Sequence, residues 1–279
     1  MLRQRIPLGI MAVVISALIL CSLVVTLAAQ QTPKIYKTQI VSTIPSDNNA
    51  FTQGLLVRDG SFYMSTGIWG ESTVRKVSLD GKEIQRVSLP KNVFGEGLAW
   101  LNGKFYQLTY QNGHAFTYDA SLSKTGILKY PRGAISEGWG LTSDDSSLYA
   151  TDGSSNIYVL DGDFKLKRVI EVTDSGSPLS GLNELEYIDG EIYANIYAAD
   201  CIARIDATSG RVNSWVVGTN LFPDNSDPGV FVMNGIAVDP QSKKLYVSAF
   251  TSRVFWRILA VIMCVACSSP ARSGRASSR

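Results

Sequence analysis

The segment Gln53-Gly54-Leu55-Leu56-Val57 recurs, with variation, four more times along this chain of 279 residues. The starts of successive copies are 43, 43, 44 and 51 residues apart, so the chain contains an internal repeat. A period above 40 residues is typical of proteins built from stacked supersecondary units. The other copies are Glu96-Gly97-Leu98-Ala99-Trp100, Trp139-Gly140-Leu141-Thr142, Asn183-Glu184-Leu185-Glu186-Tyr187 and Asn234-Gly235-Ile236-Ala237-Val238.

Each copy is followed by a turn and by a second short strand-like segment that contains a tyrosine. Turn sequences such as Asp59-Gly60 and Asn102-Gly103 favour tight hairpins, because these residues tolerate a positive φ. Third and fourth strand-like segments follow in the same unit. Four short antiparallel strands per repeat predict an all-β fold, a five-bladed β-propeller; an open β-sandwich or a solenoid is the alternative. The tyrosines are Tyr63, Tyr106, Tyr149, Tyr193 and Tyr246.

The stretch 35–44 is strand-like and comes before the first complete repeat. A propeller closes when a strand from one end of the chain joins the blade at the other end, since otherwise a sheet edge stays exposed. We therefore predict that residues 35–44 form the outermost strand of blade five.

Residues 6–29 form an apolar run without charges, preceded by Arg3 and Arg5. Such a run predicts an N-terminal hydrophobic helix within residues 1–29, either a membrane anchor or a cleaved signal peptide. Both alternatives direct the chain into the secretory pathway. An anchor would hold a luminal propeller on the endoplasmic reticulum or Golgi membrane through residues 6–29, and cleavage would give a secreted or vacuolar protein.

The C-terminal residues 251–279 contain five arginines but no lysine or acid, which is typical of a disordered tail. Residues 30–250, the predicted propeller, hold 19 basic and 24 acidic residues and carry a formal charge of −5. A nucleic-acid-binding surface needs clustered cationic charge on the folded body, so we expect no nucleic-acid partner.

Metal-binding residue types are sparse in the predicted propeller. It contains one histidine, His114, and one cysteine, Cys201. Cys264 and Cys267 form a C-x-x-C pair in the tail without a second pair, so coincidence explains it better than a metal or redox site. We predict no metal and no cofactor.

The first residue of each copy of the repeat motif carries the functional signal. In a propeller the first strand of each blade lines the central channel, so equivalent positions form a ring around one mouth. This ring contains one acid, one indole and three amides. It is either the lining of a water-filled channel or a polar pocket for an amide or ammonium group. Its members are Gln53, Glu96, Trp139, Asn183 and Asn234.

Several motifs closely resemble those of the plant and bacterial type of glutaminyl-peptide cyclotransferases, from about Ile35 to Val247. This family has a five-bladed propeller and converts the N-terminal glutamine of peptides to pyroglutamate with release of ammonia, without the zinc of the animal enzyme. The motifs are Phe51-Thr52-Gln53-Gly54-Leu55, Phe94-Gly95-Glu96-Gly97-Leu98, Tyr106-Gln107-Leu108-Thr109, Glu137-Gly138-Trp139-Gly140-Leu141 and Leu182-Asn183-Glu184-Leu185-Glu186-Tyr187.

The resemblance implies roles for eight residues in this sequence. Glu96 matches the general acid/base, which shuttles the proton between the attacking amine and departing ammonia. Gln53 and Asn183 match amides that bind the substrate carboxamide or oxyanion. Aromatic residues complete the implied substrate site: Phe51, Phe94, Tyr110, Trp139 and Tyr197.

The chain departs from the family pattern at aromatic positions of the implied site and near its C-terminal end. Tyr110 and Tyr197 stand where the family usually has tryptophan, and Phe250 stands where the resemblance implies an active-site lysine. The family's last strand is also replaced, which predicts an incomplete blade five. The alternative to an active cyclotransferase is therefore a catalytically impaired variant or a peptide-binding propeller.

Overall fold

The computed structural model describes residues 32–262, apart from 48, 219–220, 222–231 and 251–253. Within this part of the chain every regular element is a β-strand, in agreement with the all-β prediction. These residues contain no helix that is long and apolar enough to cross a membrane. The hydrophobic run 6–29, with its predicted helix, lies outside the described residues.

Strand β1 (Lys34–Pro45) precedes three antiparallel sheets, each formed by four consecutive strands. The first sheet contains β2 (Thr52–Arg58), β3 (Ser61–Thr66), β4 (Thr73–Ser78) and β5 (Glu83–Ser88). The second contains β6 (Gly95–Leu101), β7 (Lys104–Thr109), β8 (His114–Tyr118) and β9 (Lys124–Lys129). The third contains β10 (Leu141–Ser143), β11 (Leu148–Ala150), β12 (Asn156–Leu160) and β13 (Leu166–Glu171).

A short ribbon of β14 (Thr173–Asp174) and β15 (Ser177–Pro178) leads into the last part of the fold. The first four strands there are β16 (Leu182–Ile188), β17 (Glu191–Ile196), β18 (Cys201–Asp206) and β19 (Val212–Val217). The final three are β20 (Met233–Val238), β21 (Leu245–Ala249) and β22 (Val254–Ile262).

These seven strands and β1 form one eight-stranded sheet, in the order β16-β17-β18-β19-β1-β22-β21-β20. Strand β1 pairs in parallel with β19 and antiparallel with β22, where Tyr36 lies opposite Ile262 and Pro45 opposite Val254. The N-terminal strand, which includes residues 35–44, therefore lies between β19 and β22 and joins the start of the described chain to its end.

Strand β22 belongs to the segment that the sequence assigns to a tail. Phe255 and Ile258 are buried, and Phe255 stacks on Phe62 of the first sheet with ring centroids 4.7 Å apart. The structure therefore differs from the predicted boundary at residue 250, because the sheet continues to Ile262. The sequence boundary followed a change in charge composition, whereas a strand paired on both edges mainly needs apolar residues at its buried positions.

The predicted hairpin turns have the backbone that their residues favour. Asp59 and Gly60 have φ values of 47° and 67°, and Asn102 and Gly103 have 49° and 82°. Positive φ at both central residues is the requirement of a type I′ turn. Two-residue turns therefore connect β2 to β3 and β6 to β7, as predicted.

Buried clusters lie between successive groups of strands. Leu56 of the first sheet packs with Leu98 and Phe105 of the second. At the end of the chain, Ala237 of β20 packs in one cluster with Phe62 of the first sheet. Successive sheets thus share cores, and the last strands pack against the first, which gives a propeller-like all-β fold.

The first strand of each repeat is the innermost one, and these strands lie close together at the second residue of the repeat motif. This residue is glycine in four of the five copies. A Cβ atom at Gly54 would lie 2.5 Å from the main-chain nitrogen of Leu98, so a larger residue does not fit there. The fourth repeat has Glu184 at this position, and its carboxylate accepts hydrogen bonds from the main-chain nitrogens of Leu55 (3.1 Å) and Ile236 (2.7 Å). This buried carboxyl group therefore bridges the innermost strands of three repeats.

Candidate active site

A cavity of about 400 Å³ lies where the innermost strands begin. Its volume is in the range of small-ligand sites. It is lined by all eight residues to which the family resemblance assigns a role, one catalytic and seven substrate-binding, and by Trp69 and Phe250. Those eight are Phe51, Gln53, Phe94, Glu96, Tyr110, Trp139, Asn183 and Tyr197.

Main-chain hydrogen bonds fix the segments around this cavity. The nitrogen of Tyr110 donates to the carbonyl of Phe94 at 3.0 Å, and the nitrogen of Gly138 donates to the carbonyl of Tyr110 at 2.8 Å. The nitrogen of Thr52 donates to the carbonyl of Phe250 at 2.8 Å. Residues far apart in sequence are therefore held at one mouth by the backbone itself.

Three polar side chains reach the cavity from buried positions: Gln53, Glu96 and Asn183 are 6%, 5% and 4% exposed. The Nδ2 atom of Asn234 donates to Oε1 of Gln53 at 2.7 Å. This bond fixes the amide so that the donor group, Nε2, is left for a ligand. Four of the five ring residues predicted from the sequence therefore line the cavity, and the fifth, Asn234, contacts it through its hydrogen bond to Gln53.

Burial and the negative charge of Glu137 raise the pKa of Glu96 well above its ordinary value. In the part of the chain that the structure describes, no group donates a hydrogen bond that would stabilise the Glu96 carboxylate. A carboxyl group in this environment keeps its proton to higher pH and can transfer it to a bound ligand.

Phe94 is the centre of the first aromatic wall. Its ring meets those of Phe51, Trp69 and Tyr110 at centroid distances of 6.1, 5.8 and 6.0 Å, in edge-to-face or tilted geometry. A Cβ atom at Gly67 would overlap the Phe94 ring, so the glycine makes room for it. The wall is therefore a packed set of rings held in place by the neighbouring turn.

A second aromatic pair consists of Trp139 and Tyr197, whose centroids are 5.4 Å apart at an interplanar angle of 67°. Tyr197 is 53% exposed, so this pair extends to the rim. Gly153 lies under the indole with a φ of 80°, and a Cβ atom there would lie 2.8 Å from it. Trp139 is therefore packed on a main-chain surface.

The carboxylate of Glu137 accepts hydrogen bonds from two side chains beside the cavity. The Nε2 atom of Gln111 lies 2.8 Å from its Oε1, and Nε1 of Trp139 lies 3.2 Å from its Oε2. Burial and the nearby negative charge of Glu137 raise the pKa of the Tyr110 hydroxyl group. Glu137 is thus hydrogen-bonded to Trp139 of the second aromatic pair and lies near Tyr110 of the first wall.

Comparison with known proteins identifies the family. A family model described as glutamine cyclotransferase matches residues 13–255. The chain belongs to the glutamine cyclotransferase family. It is 35% identical over 227 residues to the glutaminyl-peptide cyclotransferase of Arabidopsis thaliana, covering 77% of this chain and 68% of that protein. It superposes on the crystal structure of Myxococcus xanthus glutaminyl cyclase with a TM-score of 0.75 and 30% identity, covering 83% of this chain and 99% of the other.

The acid in the cavity of this glutamine cyclotransferase family member has no basic partner among the described residues. Glu96 is an acid, and no lysine, arginine or histidine is among the described residues that line the cavity. Phe250 occupies the wall where the family resemblance implies a lysine, and it is 7% exposed. The site therefore combines one protonatable acid and two amides with an apolar surround.

Sequence reasoning did not single out Trp69 or Glu137 as site residues. Trp69 is a large aromatic residue in a turn between Gly67 and Gly70, and an aromatic side chain in such a turn is a signal for a rim contact. Glu137 stands two residues before Trp139 in a motif that is otherwise apolar. That position alone does not show which side chains its carboxylate reaches.

Proposed function

We propose that this chain is a glutaminyl-peptide cyclotransferase, an aminoacyltransferase that converts the N-terminal glutamine of a peptide to pyroglutamate and releases ammonia. The observation that carries the proposal is Glu96, a buried carboxyl group of raised pKa inside a cavity lined by amides and aromatic rings. The similarity to a plant glutaminyl-peptide cyclotransferase and to a bacterial glutaminyl cyclase supports the same activity.

In the reaction the α-amino nitrogen of the substrate attacks the side-chain carboxamide carbon of the same residue. A C–N bond forms to close the five-membered ring, and the bond from that carbon to the amide nitrogen breaks. The protonated Glu96 gives its proton to the departing nitrogen, which leaves as ammonia, and takes back the proton lost by the α-amine. Glu96 therefore ends in the state in which it began.

Gln53 and Asn183 are suited to the oxygen of the carboxamide. This oxygen gains negative charge in the tetrahedral intermediate, and fixed N–H donors stabilise such a charge. Nε2 of Gln53 is oriented for this role by the bond from Asn234. The side chain of Asn183 is buried and makes no hydrogen bond among the described residues, so it is available to the substrate.

The aromatic walls hold the methylene groups of the glutamine side chain. Attack requires the amine and the carboxamide of one residue to meet, so confinement between Phe94 and Trp139 favours the folded conformer over extended ones. Restricting a substrate to an attack geometry is a large source of acceleration in intramolecular reactions. All of these steps use side chains of this chain, with no metal or cofactor.

We also propose that the fold is a five-bladed propeller. The three four-stranded sheets count as three blades, and the eight-stranded sheet counts as two, joined at the parallel pair of β19 and β1. In this interpretation blade five consists of β20, β21, β22 and β1, so it has four strands. An experimental structure with another number of blades would contradict it.

For location, we propose that residues 1–29 target the chain to the secretory pathway and that the folded body follows them. The basis is the charge-free apolar run 6–29, which suits either an anchor in the endoplasmic reticulum or Golgi membrane or a signal cleaved before secretion or vacuolar delivery. Translation with microsomes followed by protease tests it: digestion of the body without detergent would contradict a luminal location.

The activity is tested by incubating the purified full chain with a peptide that begins with glutamine. Mass spectrometry should detect loss of ammonia, and a peptide that begins with asparagine is the control. Phe250 is the observation that favours the second candidate, a catalytically impaired or peptide-binding propeller. Saturable binding of the glutamine peptide without ammonia release would establish that candidate and reject the enzyme.

A further inference from the structure

Glu137 lies against the cavity without lining it, and the steps described above do not use it. Its two carboxylate oxygens accept hydrogen bonds from the side-chain N–H groups of Gln111 and Trp139. Trp139 lines the cavity, as does Tyr110, whose hydroxyl group is close enough to feel the Glu137 charge. One carboxylate outside the cavity is therefore bonded to an aromatic residue of its wall.

We propose that Glu137 is a positioning residue, whose carboxylate fixes the indole of Trp139 beside the substrate and whose charge acts on Glu96. The inference rests on the proposed function, because it assigns Glu137 a role in the same cavity. It concerns how the site is held and tuned, and Glu137 itself does not contact the reacting atoms.

The main chain around Glu137 is held by its own contacts. The Glu137 side chain is therefore free to fix the orientation of the aromatic ring that it contacts. Gly138 donates to the Tyr110 carbonyl at 2.8 Å, and a Cβ atom at Gly138 would overlap the Tyr130 hydroxyl group. With the backbone held in this way, the carboxylate determines the orientation of the Trp139 indole. Hydrogen bonds to a charged group are stronger than bonds between neutral groups.

The charge of Glu137 should affect the pH–rate profile, which a residue that acted only through packing would not change. Its negative charge raises the pKa of Glu96, together with the larger effect of burial. The proposed reaction uses Glu96 in the protonated form, so its titration sets the alkaline limb of the pH–rate profile. Removing the Glu137 charge lowers the pKa of Glu96 and moves this limb to lower pH.

The experiment compares Glu137→Gln and Glu137→Ala in the full chain, with Glu171→Gln as the matched control. Glu171 is exposed on β13, so its replacement makes the same change in net charge away from the cavity. We expect Glu137→Ala to raise KM about tenfold, the equivalent of one lost charged hydrogen bond. Glu137→Gln keeps an acceptor oxygen and should raise KM less, while both variants shift the alkaline limb to lower pH.

A second readout does not need turnover. The indole N–H resonance of Trp139, identified by its loss in Trp139→Phe, should move in Glu137→Ala and stay in place in Glu171→Gln. If this resonance moves but no form releases ammonia, the proposed function fails and the positioning contact stands. An unchanged resonance in Glu137→Ala, or a raised KM with an unmoved alkaline limb, would overturn the inference.

Discussion

The ring of Phe250 lies parallel to that of Phe51, with centroids 4.6 Å apart and an interplanar angle of 8°. The carbonyl oxygen of Phe250 also accepts a hydrogen bond from the nitrogen of Thr52, directly after Phe51. The contact joins the turn after β21 to the start of β2. Residue 250 therefore both ties the last repeat to the first and forms part of the cavity wall.

This stack leads to a prediction for Phe250→Lys. The lysine stem can cover the Phe51 ring, but the loss of ring stacking should lower the free energy of unfolding by about 1 kcal/mol. The ammonium group would lie in the same cavity as Glu96, and a nearby positive charge lowers the pKa of a carboxyl group. We expect the alkaline limb of the pH–rate profile to move to lower pH.

The matched control is Phe250→Met, which has an unbranched side chain and no charge. It should lose the stacking but leave the alkaline limb where it is in the unchanged chain. If the alkaline limb of the pH–rate profile lies at the same pH in the lysine and methionine variants, residue 250 does not act electrostatically on Glu96. Urea unfolding and rates of ammonia release from pH 5 to 10 provide both measurements.

The repeat made most of the site predictable from the sequence. Gln53, Glu96, Trp139 and Asn183 occupy one position of the motif, and equivalent positions of a repeat meet in space. Their gathering in one cavity therefore follows from periodicity. The aromatic residues were assigned through the family resemblance, although Phe51 and Phe94 are one repeat apart and Tyr110 and Tyr197 are two repeats apart.

Other features depend on contacts that the repeat does not encode. Glu184 stands where four repeats have glycine, but only the structure shows its carboxylate binding the amides of Leu55 and Ile236. The hydrogen bonds of Glu137 likewise depend on side-chain directions. Strand β22 was missed because its sequence lies next to an arginine-rich end, and its pairing with β1 is a contact between the two ends of the described chain.

Trp69 leads to a prediction about selectivity for the second residue of the peptide. It is 49% exposed at the cavity rim and packs on Phe94, next to which the first residue is proposed to bind. We therefore expect the peptide chain that leaves the cavity to pass this indole. We expect Trp69→Ala to reduce the preference for Gln-Phe over Gln-Ala peptides about threefold to tenfold, as an aromatic contact of about 1 kcal/mol implies.

The measurement is the ratio of kcat/KM for the two peptides in each form. Ile84 is an exposed apolar residue on β5, so Ile84→Ala is a control for loss of surface hydrophobicity away from the cavity. An unchanged ratio in Trp69→Ala would place the second residue elsewhere. A fall in both values of kcat/KM by the same factor would instead assign Trp69 to binding of the glutamine.

The raised pKa of Glu186 leads to a prediction of how the free energy of unfolding depends on pH. Its carboxylate accepts hydrogen bonds from Val238 and Thr142 near the far ends of the innermost strands, and burial raises its pKa to about 8. Its ordinary value is 4.5, so between these values the folded state binds more protons than the unfolded state. The free energy of unfolding should therefore fall as pH rises through this window.

Glu186→Gln removes this titration while keeping an acceptor oxygen. Between pH 5 and 8 the variant should show a shallower fall in the free energy of unfolding than the unchanged chain. Urea unfolding at unit intervals of pH measures the slopes. A slope that is the same in both forms would mean that Glu186 does not carry the linkage, leaving Glu184, whose pKa is also raised by burial, as the next residue to replace.

The last prediction concerns Glu96 itself. Glu96→Gln keeps the size and shape of a buried side chain but removes the group that holds the transferable proton. We expect kcat to fall about a hundredfold or more, the usual effect of losing a general acid/base, while the urea midpoint changes little or rises. A rise is consistent with the burial that raises the pKa of Glu96, because burying a neutral amide costs less than burying a carboxylate.

Two comparisons make this result specific to proton transfer. Glu186→Gln is the same substitution on β16 but outside the cavity, and it should leave kcat within about threefold, as expected for a site that does not touch the substrate. Binding of the glutamine peptide to Glu96→Gln should persist, since Gln53, Asn183 and the aromatic walls are unchanged. If Glu96→Gln turned over as fast as the unchanged chain, the proton would have to come from another group, and the assignment of Glu96 would be wrong.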